Sequence, residues 1–355
     1  MLRPAYNAQF NHPSYATKTL HFASFKDWTA LPDSARALFA RGEQASVFFS
    51  REWFENLCAS GLDSDQPILL ACVLDADAVM ALLPLLRLDD GSWSSLTHRY
   101  SSLYTLLIAA ENQSAIVDCL ARGIAGLPIR SLRLEPFARD DAVIMQLQQA
   151  LQTQGFDCHR AFRFYNWFHR VQDDSFEAYM AGRPSRLRNT IARKQRKLER
   201  EQDCALRLYS GDRVVQVMKD YHAAYQASWK ASELFGDIVD GMTGRFSRRG
   251  WSRLGVLYIS GQPAAAQLWF VAHRKATIFR LAYDETWKRY SPGSILTRFL
   301  MRQVIDVDRV GEIDFLMGNE RYKQDWMSSR RERWGMHCAR RTPSAGWWRR
   351  LWPGR

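Results

Sequence analysis

Residues 277–296 read "TIFRLAYDETWKRYSPGSIL", an apolar stretch followed by a turn and a second apolar stretch. The β-branched and aromatic residues of "TIFRLAYD" favour a strand. The second stretch predicts a helix, because its apolar residues follow helical spacing: Ile295, Leu296, Phe299, Leu300 and Val304. Pro292 and Gly293 fall in the first turn of this helix. The N–H that Pro292 lacks would have no partner within the helix, and the absence of a side chain at Gly293 leaves the backbone amides accessible to a ligand. The stretch therefore predicts either a phosphate-binding helix start or an ordinary Pro-Gly turn.

The elements around this stretch occur in the same order in both halves of the chain. The first half gives strands "QPILLACVLD", "AVMALLPLLRL" and "SLYTLLIA", the helix "SAIVDCLARGIAGL" and the strand "IRSLRLEPF". The second half gives "RLGVLYI", "AAAQLWFVAH" and "TIFRLAYD", the helix "GSILTRFLMRQVIDV" and the strand "GEIDFLMG". Two copies of one α/β unit are therefore predicted, over residues 1–160 and 161–338, with the join in residues 155–161 and a tail over 339–355.

Charge separates the two halves. Residues 1–160 contain 13 Lys and Arg against 17 Asp and Glu, whereas residues 161–355 contain 36 against 20. The excess positive charge lies wholly in the second half, so an anionic partner is expected to bind there.

Composition limits the class of protein. An apolar content of 46% with 13 Trp is incompatible with disorder over most of the 355 residues. The six cysteines stand apart, without C-x-x-C or a His pair at ligand spacing, which predicts a reduced, cytoplasmic protein without metal. The eight His lack motif context, so no Ser-His-Asp or Cys-His nucleophile is expected and direct, sequential transfer is favoured.

The stretch "AYDETWKRYSPGSIL", the following "IDFLMGNERYKQDW" and the earlier "SWK" resemble a known family. This is the acetyltransferase-like family that includes the cellulose-biosynthesis protein CelD. It is similar in turn to the Fem-type aminoacyl transferases, which build peptidoglycan cross-bridges from tandem units, and all belong to the GNAT superfamily. The resemblance covers residues 160–335 well and the first half more loosely.

The resemblance implies an α/β (α+β) fold of two tandem GNAT-like units, each a mixed, mostly antiparallel sheet flanked by helices, the first unit degenerate. It implies an acyl donor held between two splayed strands, "GEIDFLMG" and either "TIFRLAYD" or "AAAQLWFVAH". Ordinary GNAT enzymes have a Q/R-x-x-G-x-G/A turn for the coenzyme A pyrophosphate. Aligned on Gly293, this chain has Tyr290 at the first position of that signature and Ile295 at the last.

Three groups of candidate site residues follow. The phosphates of acetyl-CoA or another acyl-CoA are expected to bind at Tyr290, Ser291, Gly293, Ser294, Ile295 and Leu296. Candidates for binding the acceptor are Arg186, Arg193, Trp229, Lys230, Gln267 and Tyr283. Catalytic candidates are Asp314, Tyr322 and Lys323.

Each catalytic candidate has a structural alternative. Asp314 is a carboxylate within an apolar strand, which is costly unless the group is used or is paired with a nearby arginine. Fem-type enzymes have an aromatic-Lys pair at the place of Tyr322 and Lys323, where the Lys is implied in charge stabilisation. Tyr322 would then protonate a leaving group, whereas the alternative is a Tyr-Lys pair on a helix surface. Trp229 on a helix is more often a core residue, and Gln267 could bond either a ligand or a neighbouring strand.

Two basic segments remain. "RPSRLRNTIARKQRKLER", over residues 183–200, predicts a helix with a narrow apolar stripe and eight basic residues. Three interpretations of that helix are open. Its basic residues form an ordinary solvent-exposed face, bind the phosphates of a glycan-precursor acceptor, or contact an aminoacyl-tRNA. The tail "ARRTPSAGWWRRLWPGR" suits peripheral contact with the inner face of a membrane, or is a disordered soluble tail. No DNA-reading module is apparent, so no DNA partner is expected.

Three functions are consistent with these features. The first is an acyltransferase acting on an exopolysaccharide or cell-envelope precursor with an acyl-CoA donor. The second is Fem-like aminoacyl transfer from tRNA. The third is a non-catalytic GNAT-like scaffold.

Overall fold

The computed structural model describes residues 19–63, 66–172, 175–230 and 235–341. The strands of the first half are β1 (Leu20–Phe25), β2 (Ile68–Asp75), β3 (Ala78–Arg87), β4 (Trp93–Ser95), β5 (Leu107–Ile108), β6 (Ser131–Ala138) and β7 (Phe156–Arg170). Its α-helices are α1 (Arg36–Glu43), α2 (Arg51–Ser60), α3 (Gln113–Gly126) and α4 (Ala142–Thr153). Short 3₁₀ turns cover Asp33–Ala35 and Val47–Phe49.

The second half continues the same pattern. Its helices are α5 (Phe176–Ala181), α6 (Ser185–Glu201), α7 (Asp212–Gln226), α8 (Gly236–Arg248), α9 (Pro292–Arg302) and α10 (Arg321–Trp326). Its strands are β8 (Cys204–Ser210), β9 (Ser252–Ile259), β10 (Gln262–Ala272), β11 (Lys275–Tyr283), β12 (Glu312–Met317) and β13 (Ser329–Arg340). A 3₁₀ segment, Glu285–Tyr290, precedes α9, and a π-helical segment, Gln303–Val307, follows it.

The strands form one mixed, mostly antiparallel sheet. In the described part of the chain it has 13 strands, in the order β1-β2-β3-β4-β6-β13-β7-β12-β11-β10-β9-β8, with β5 beside β3. The pairs β4–β6 and β11–β12 are parallel. The predicted fold class is confirmed, and the sheets of the two units are joined into one.

The two halves repeat one plan. In each, two helices separate the first strand from a hairpin, a helix (α3 or α9) links two parallel strands, and a shorter helix leads to a last strand. In the second half, α5 and α6 precede this plan. Gly255 on β9 lets α9 approach the sheet closely, because an added Cβ would lie 2.9 Å from Leu300 Cδ1.

The last strand of each half pairs with the other half. β7 lies between β13 and β12, and β13 lies between β6 and β7. The predicted boundary after residue 160 therefore falls inside β7, and β13 extends to Arg340 and so includes the first two residues of the predicted tail. Cys158 and Cys338 are directly opposed in this pairing and form a disulfide, so the prediction of six reduced cysteines is wrong for these two.

The halves also share an apolar core. One cluster combines strand residues of the first half with helix residues of the second, such as Leu70, Leu82, Tyr221 and Phe246. The Asn56 side chain of α2 donates to the Ile238 carbonyl of α8 at 3.0 Å. The other cluster lies between α9 and the strands of the second half.

The predicted strand at residues 102–109 is largely wrong. Only Leu107–Ile108 is a strand, and the preceding residues form buried, irregular chain. The Tyr104 amide donates to the Pro136 carbonyl at 2.6 Å, and its hydroxyl donates to the Pro84 carbonyl at 2.6 Å. This segment therefore links β3 to β6, and the short strand β4 takes the place in the repeat that had been predicted for it.

Candidate functional site

β11 and β12 separate beyond a short region of parallel pairing. They pair from Lys275 with Glu312 to Thr277 with Asp314. Beyond that point β11 stays paired with β10 as far as Tyr283, whereas β12 follows β7. The resemblance implied a pair of splayed strands, and the structure has them here.

A cavity of about 720 Å³ lies beside this opening, at the start of α9; we call it the α9 cavity. The predicted site residues on its wall are Trp229, Lys230, Gln267, Tyr283, Ser291, Gly293, Ser294 and Tyr322. Further wall residues, which the sequence analysis missed, are Leu187, Leu281, Lys288, Thr297, Phe315, Glu320, Asp325 and Trp326. Cavities of this size hold small-molecule ligands.

The first turn of α9 presents small residues but fewer free amides than predicted. Ser291 caps the helix in the left-handed conformation, with φ 55°. Its carbonyl accepts from the Ser294 amide at 3.1 Å and from the Ile295 amide at 3.2 Å. An added Cβ at Gly293 would lie 3.3 Å from the Tyr283 ring. The lack of a side chain at Gly293 therefore allows this ring to lie close to the turn.

Three predicted donor-binding side chains are directed elsewhere. Tyr290, Ile295 and Leu296 are buried in the apolar cluster beneath α9. The Tyr290 hydroxyl donates to Glu201 at 3.1 Å and accepts from Arg289 at 2.7 Å. Their side chains are therefore parts of the core, and the predicted donor contact at these three positions would involve their backbone.

Gln267 is a positioning residue and not a free ligand group. Its Nε2 donates to the Gly293 carbonyl at 3.0 Å and to the Thr297 hydroxyl at 2.8 Å. Its Oε1 accepts from the Trp269 indole at 3.0 Å. Of the two roles that the sequence left open, a structural one is therefore favoured, and Gln267 holds the start of α9 against β10.

Trp229, Tyr283 and Lys230 lie together on the cavity wall. The Trp229 and Tyr283 ring centroids are 4.6 Å apart, and Trp229 is 51% exposed. Lys230 Nζ lies 5.5 Å from the Trp229 ring and donates to the Leu281 carbonyl. Trp229 follows the end of α7, so the prediction that it lies in a helix is wrong.

The basic helix α6 borders the cavity at one end. Arg186 Nη2 donates to Asp325, a wall residue, at 3.0 Å, and Leu187 is itself a wall residue. Arg193 is exposed farther along α6 and is not a wall residue. The structure therefore brings Arg186 to the cavity mouth, where its ion pair with Asp325 holds it.

A smaller cavity of about 280 Å³ adjoins the first; we call it the Lys323 cavity. Arg99 and Tyr100 of the first half line it together with Lys323, and Lys230 and Tyr322 line both cavities. The two cavities therefore meet at Lys230 and Tyr322, which places the opening between the two halves of the chain.

Lys323 is 5% exposed and lies on α10 with its ammonium turned inward. It donates to the Met317 carbonyl and pairs with Glu320 at 3.2 Å. Burial lowers the pKa of Lys323 below its usual value, although Glu320 opposes the shift. Burial also raises the pKa of Tyr322, so this phenol keeps its proton at neutral pH.

Asp314 lies in a buried polar network, which bears on its prediction as a catalytic residue. It accepts from Arg331 Nη2 at 2.6 Å, from Asn166 Nδ2 at 2.6 Å and from the Leu316 amide at 2.7 Å. Burial alone would raise the pKa of this carboxyl, but Arg331 and Arg333 hold the pKa below its usual value. The alternative of an arginine partner is therefore favoured, and Asp314 is poorly suited to accept a proton.

Asp314 also shapes the end of β12. Leu316 has φ 57°, an unusual conformation for a bulky residue, and its amide donates to the Asp314 carboxylate. The pairing of β12 with β7 shifts by one residue between Asp314 and Met317. This kink lies directly before the Met317 carbonyl that Lys323 contacts, so Asp314 acts on the site through the backbone.

We expect Asp314→Asn to destabilise the protein by about 1.5–3 kcal/mol at neutral pH, since it removes the charged acceptor of Arg331, which then has Glu312 as its carboxylate partner. The lowered carboxyl pKa means that the stabilisation is complete above the usual value of 3.8 and is lost as the pH falls through the lower, folded-state pKa. Urea unfolding of parent and variant should therefore give curves that differ widely at pH 7 and converge toward pH 3. A constant difference at both pH values would contradict this role.

The partners of Asp314 were not evident from the amino-acid sequence. Arg331 and Arg333 alternate on β13, and Asn166 accepts from Arg331 Nε at 2.6 Å and from Arg333 Nη2 at 3.0 Å. The alternation in "SRRERWG" is typical of a strand with one basic face and could have signalled them. Their partner lies on the exchanged strand β7, which no local pattern indicates.

The chain is similar to known transferases. Residues 185–324 match the family model of the acetyltransferase (GNAT) domain, which spans α6 to α10. No curated protein matches the sequence. Over these residues the second half is therefore similar to acetyltransferase domains of the GNAT type.

Solved structures share the fold over most of the chain. FemX has a TM-score of 0.64 at 9% identity, covering 90% of this chain and 97% of FemX. A conserved protein of unknown function from Bacteroides thetaiotaomicron gives 0.57 at 10% identity, covering 89% and 99% of the two chains. L-PGS from Bacillus licheniformis gives 0.51 at 9% identity, covering 83% and 93%. At such identities these likenesses establish the fold alone.

The described residues contain no group of three or more His, Cys, Asp and Glu placed to hold a metal ion. None of their helices combines the length and apolar character that a bilayer crossing requires. The sequence predicted a membrane contact for the tail. The residues of the tail from 342 onward lie outside the described part of the chain.

Proposed function

We propose that this GNAT-type transferase moves an acyl group directly from acetyl-CoA or another acyl-CoA to an acceptor amine or hydroxyl. The donor would bind in the α9 cavity, and the acceptor would reach it through the Lys323 cavity. The observation that carries the proposal is the meeting of these cavities at Lys230 and Tyr322, beside the opening between β11 and β12.

The start of α9 fits a phosphorylated donor. Ser291, Gly293 and Ser294 line the cavity, and the missing side chain at Gly293 lets a phosphate approach the backbone closely. Lys288 adds a cation on the same wall. The Ser294 amide already donates to the Ser291 carbonyl and is therefore not free to bind a phosphate. In this proposal, hydroxyl groups and Lys288 supply part of the phosphate contact that the sequence predicted for backbone amides.

The chemistry needs orientation and charge stabilisation more than a covalent intermediate. The acceptor would attack the thioester carbonyl, and the Lys323 ammonium would stabilise the developing oxyanion. Collapse of that intermediate breaks the carbon–sulfur bond, and the Tyr322 phenol would protonate the leaving thiolate. The proton that the acceptor nitrogen or oxygen loses would then return to the Tyr322 phenolate. The CelD-like resemblance of residues 160–335 supports an acceptor from exopolysaccharide or envelope synthesis.

Calorimetric titration with acetyl-CoA and with free coenzyme A tests this donor. We expect a micromolar Kd for both, equivalent to about −8 kcal/mol. Titration of the same folded sample with aminoacyl-tRNA is the comparison. An absence of heat with both coenzymes would overturn the proposed donor.

Aminoacyl transfer from tRNA is the second candidate, and the position of α6 favours it. Seven Lys and Arg are at least partly exposed along this helix, whose first turn borders the α9 cavity through Leu187: Arg186, Arg188, Arg193, Lys194, Arg196, Lys197 and Arg200. If tRNA is the donor, charge reversal at Arg186, Arg193 and Lys197 should weaken tRNA binding and flatten its dependence on salt. An unchanged salt dependence would exclude α6 as the tRNA contact.

A further inference from the structure

A third cavity lies between the two halves, on the face of the sheet formed by β7, β11, β12 and β13. Its volume is about 770 Å³. We call it the arginine cleft after its six basic wall residues: Arg139, Arg170, Lys275, Arg330, Arg331 and Arg333. Ser102 lines both this cleft and the Lys323 cavity, so the cleft adjoins the opening through which the acceptor would reach the donor.

The acidic residues of the cleft do not balance its basic ones. Three acids line it, Asp140, Asp314 and Glu332. Asp314 is held by Arg331, and Glu332 pairs with Arg139 at 3.2 Å. Within the described residues Arg170 and Arg330 have no acidic partner and lie over aromatic rings, Arg330 at 4.1 Å from the Tyr165 centroid. The cleft therefore has an excess of positive charge, which favours an anionic ligand.

Arg333 is the most informative of these residues. It is 3% exposed, and it has no carboxylate within ion-pair distance among the described residues. The Nη2 of Arg333 donates to the Asn166 side chain at 3.0 Å, but the buried Nε of Arg333 has no hydrogen-bond partner within the described residues. Burial and the neighbouring Arg331 charge lower the pKa of Arg333 to about 10. A guanidinium in this position is costly to stability unless a ligand completes its bonding.

Ser102 supplies a second unsatisfied group from the other half of the chain. It is 3% exposed, and its hydroxyl has no partner within the described structure. A buried hydroxyl without a partner also costs stability. Two buried donors, one from each half, thus border the same cleft.

We propose that the arginine cleft binds the acceptor through an anionic group, with the phosphoryl or carboxylate oxygens accepting from Arg333 and Ser102. The guanidinium fork suits either planar carboxylate or phosphate recognition. The inference rests on the proposed transferase function, since it assigns the cleft to the acceptor and the α9 cavity to the donor.

Titration with two simple probes, pyrophosphate and succinate, tests the cleft and distinguishes the two anion chemistries. We expect at least one of them to bind, and Arg333→Met to weaken it roughly tenfold or more, as for the loss of a charged hydrogen bond. Ser102→Ala should weaken the same probe severalfold without loss of stability, since it removes a hydroxyl that has no partner. Arg213→Met removes an equal charge from an exposed position on α7 and should leave the affinity unchanged.

The outcomes separate this inference from the proposed function. Binding of pyrophosphate alone assigns a phosphoryl group, and binding of succinate alone assigns a carboxylate. If neither probe binds, or if both variants bind as the parent does, the cleft proposal is overturned even when acetyl-CoA still binds. Arg333→Met should leave coenzyme A affinity intact; a parallel loss would show that the cleft holds the donor, which would also overturn the assignment.

Discussion

Gly293→Trp is expected to reduce coenzyme A binding at least 100-fold, about 2.7 kcal/mol, while the chain remains folded. Gly293 lines the α9 cavity, and an added Cβ would already lie 3.3 Å from the Tyr283 ring. The indole beyond that Cβ would fill the space that the donor requires. Gly293 does not have a positive φ, so a larger residue is compatible with its backbone conformation. Calorimetric titration of the purified variant measures the effect.

Gly126→Trp is the matched control. Gly126 ends α3, the helix of the first half that corresponds to α9, and an added Cβ there meets nothing within 4 Å. The same substitution on the repeated helix should therefore leave coenzyme A affinity unchanged. Equal affinity in Gly293→Trp and the parent protein would remove the α9 cavity as the donor site.

Lys323→Met is expected to lower kcat about 100-fold, the loss typical of one missing oxyanion-stabilising group. Stability should change little, because burial disfavours the charged ammonium in the folded state and Met can fill the same space. Comparison of kcat with the thermal midpoint separates the chemical effect from unfolding. Lys219→Met, at an exposed position on α7, is the control and should keep full activity.

The pH profile gives this prediction a second readout. Only the protonated Lys323 can stabilise an oxyanion, so turnover should fall as the pH rises through its pKa, which burial places below the usual 10.5. That alkaline limb should be absent from the residual activity of Lys323→Met. Full turnover in the variant would favour a non-catalytic scaffold or a different catalytic group.

Local patterns predicted the second half of the fold well. The strands β9 to β12 and the helix α9 follow from apolar periodicity and from the Pro-Gly turn, signals that lie within about ten residues of each element. The strand expected over residues 102–109 failed because a short buried run has no periodicity that separates a strand from irregular chain. Tyr104 is held there by bonds to β3 and β6, which are distant in sequence.

The candidate site could be predicted in position but not in every role. The sequence located the start of α9 and the Tyr322–Lys323 pair, and the structure places all of these at adjoining cavities. It could not show that Tyr290 faces the core, because a 3₁₀ turn gives no clear apolar face. Nor could it pair Asp314 with Arg331, since that contact depends on where the exchanged strand β13 lies in the sheet.

The exchange of β7 and β13 has a consequence for function. It brings β13, the last strand of the second half, against β6 of the first, and so places Arg333 within reach of the wall that contains Ser102. Each half therefore contributes one buried donor to the arginine cleft. The proposed donor site belongs mainly to the second half, whereas the proposed acceptor site requires both.

A crystal structure of the protein with bound coenzyme A tests the central claim most directly. We expect density for the coenzyme in the α9 cavity, with its pyrophosphate beside Ser291, Gly293 and Ser294 and its thiol end near Tyr322 and Lys323. Coenzyme bound instead in the arginine cleft, or in the first half between β4 and β6, would contradict the assignment of the donor site.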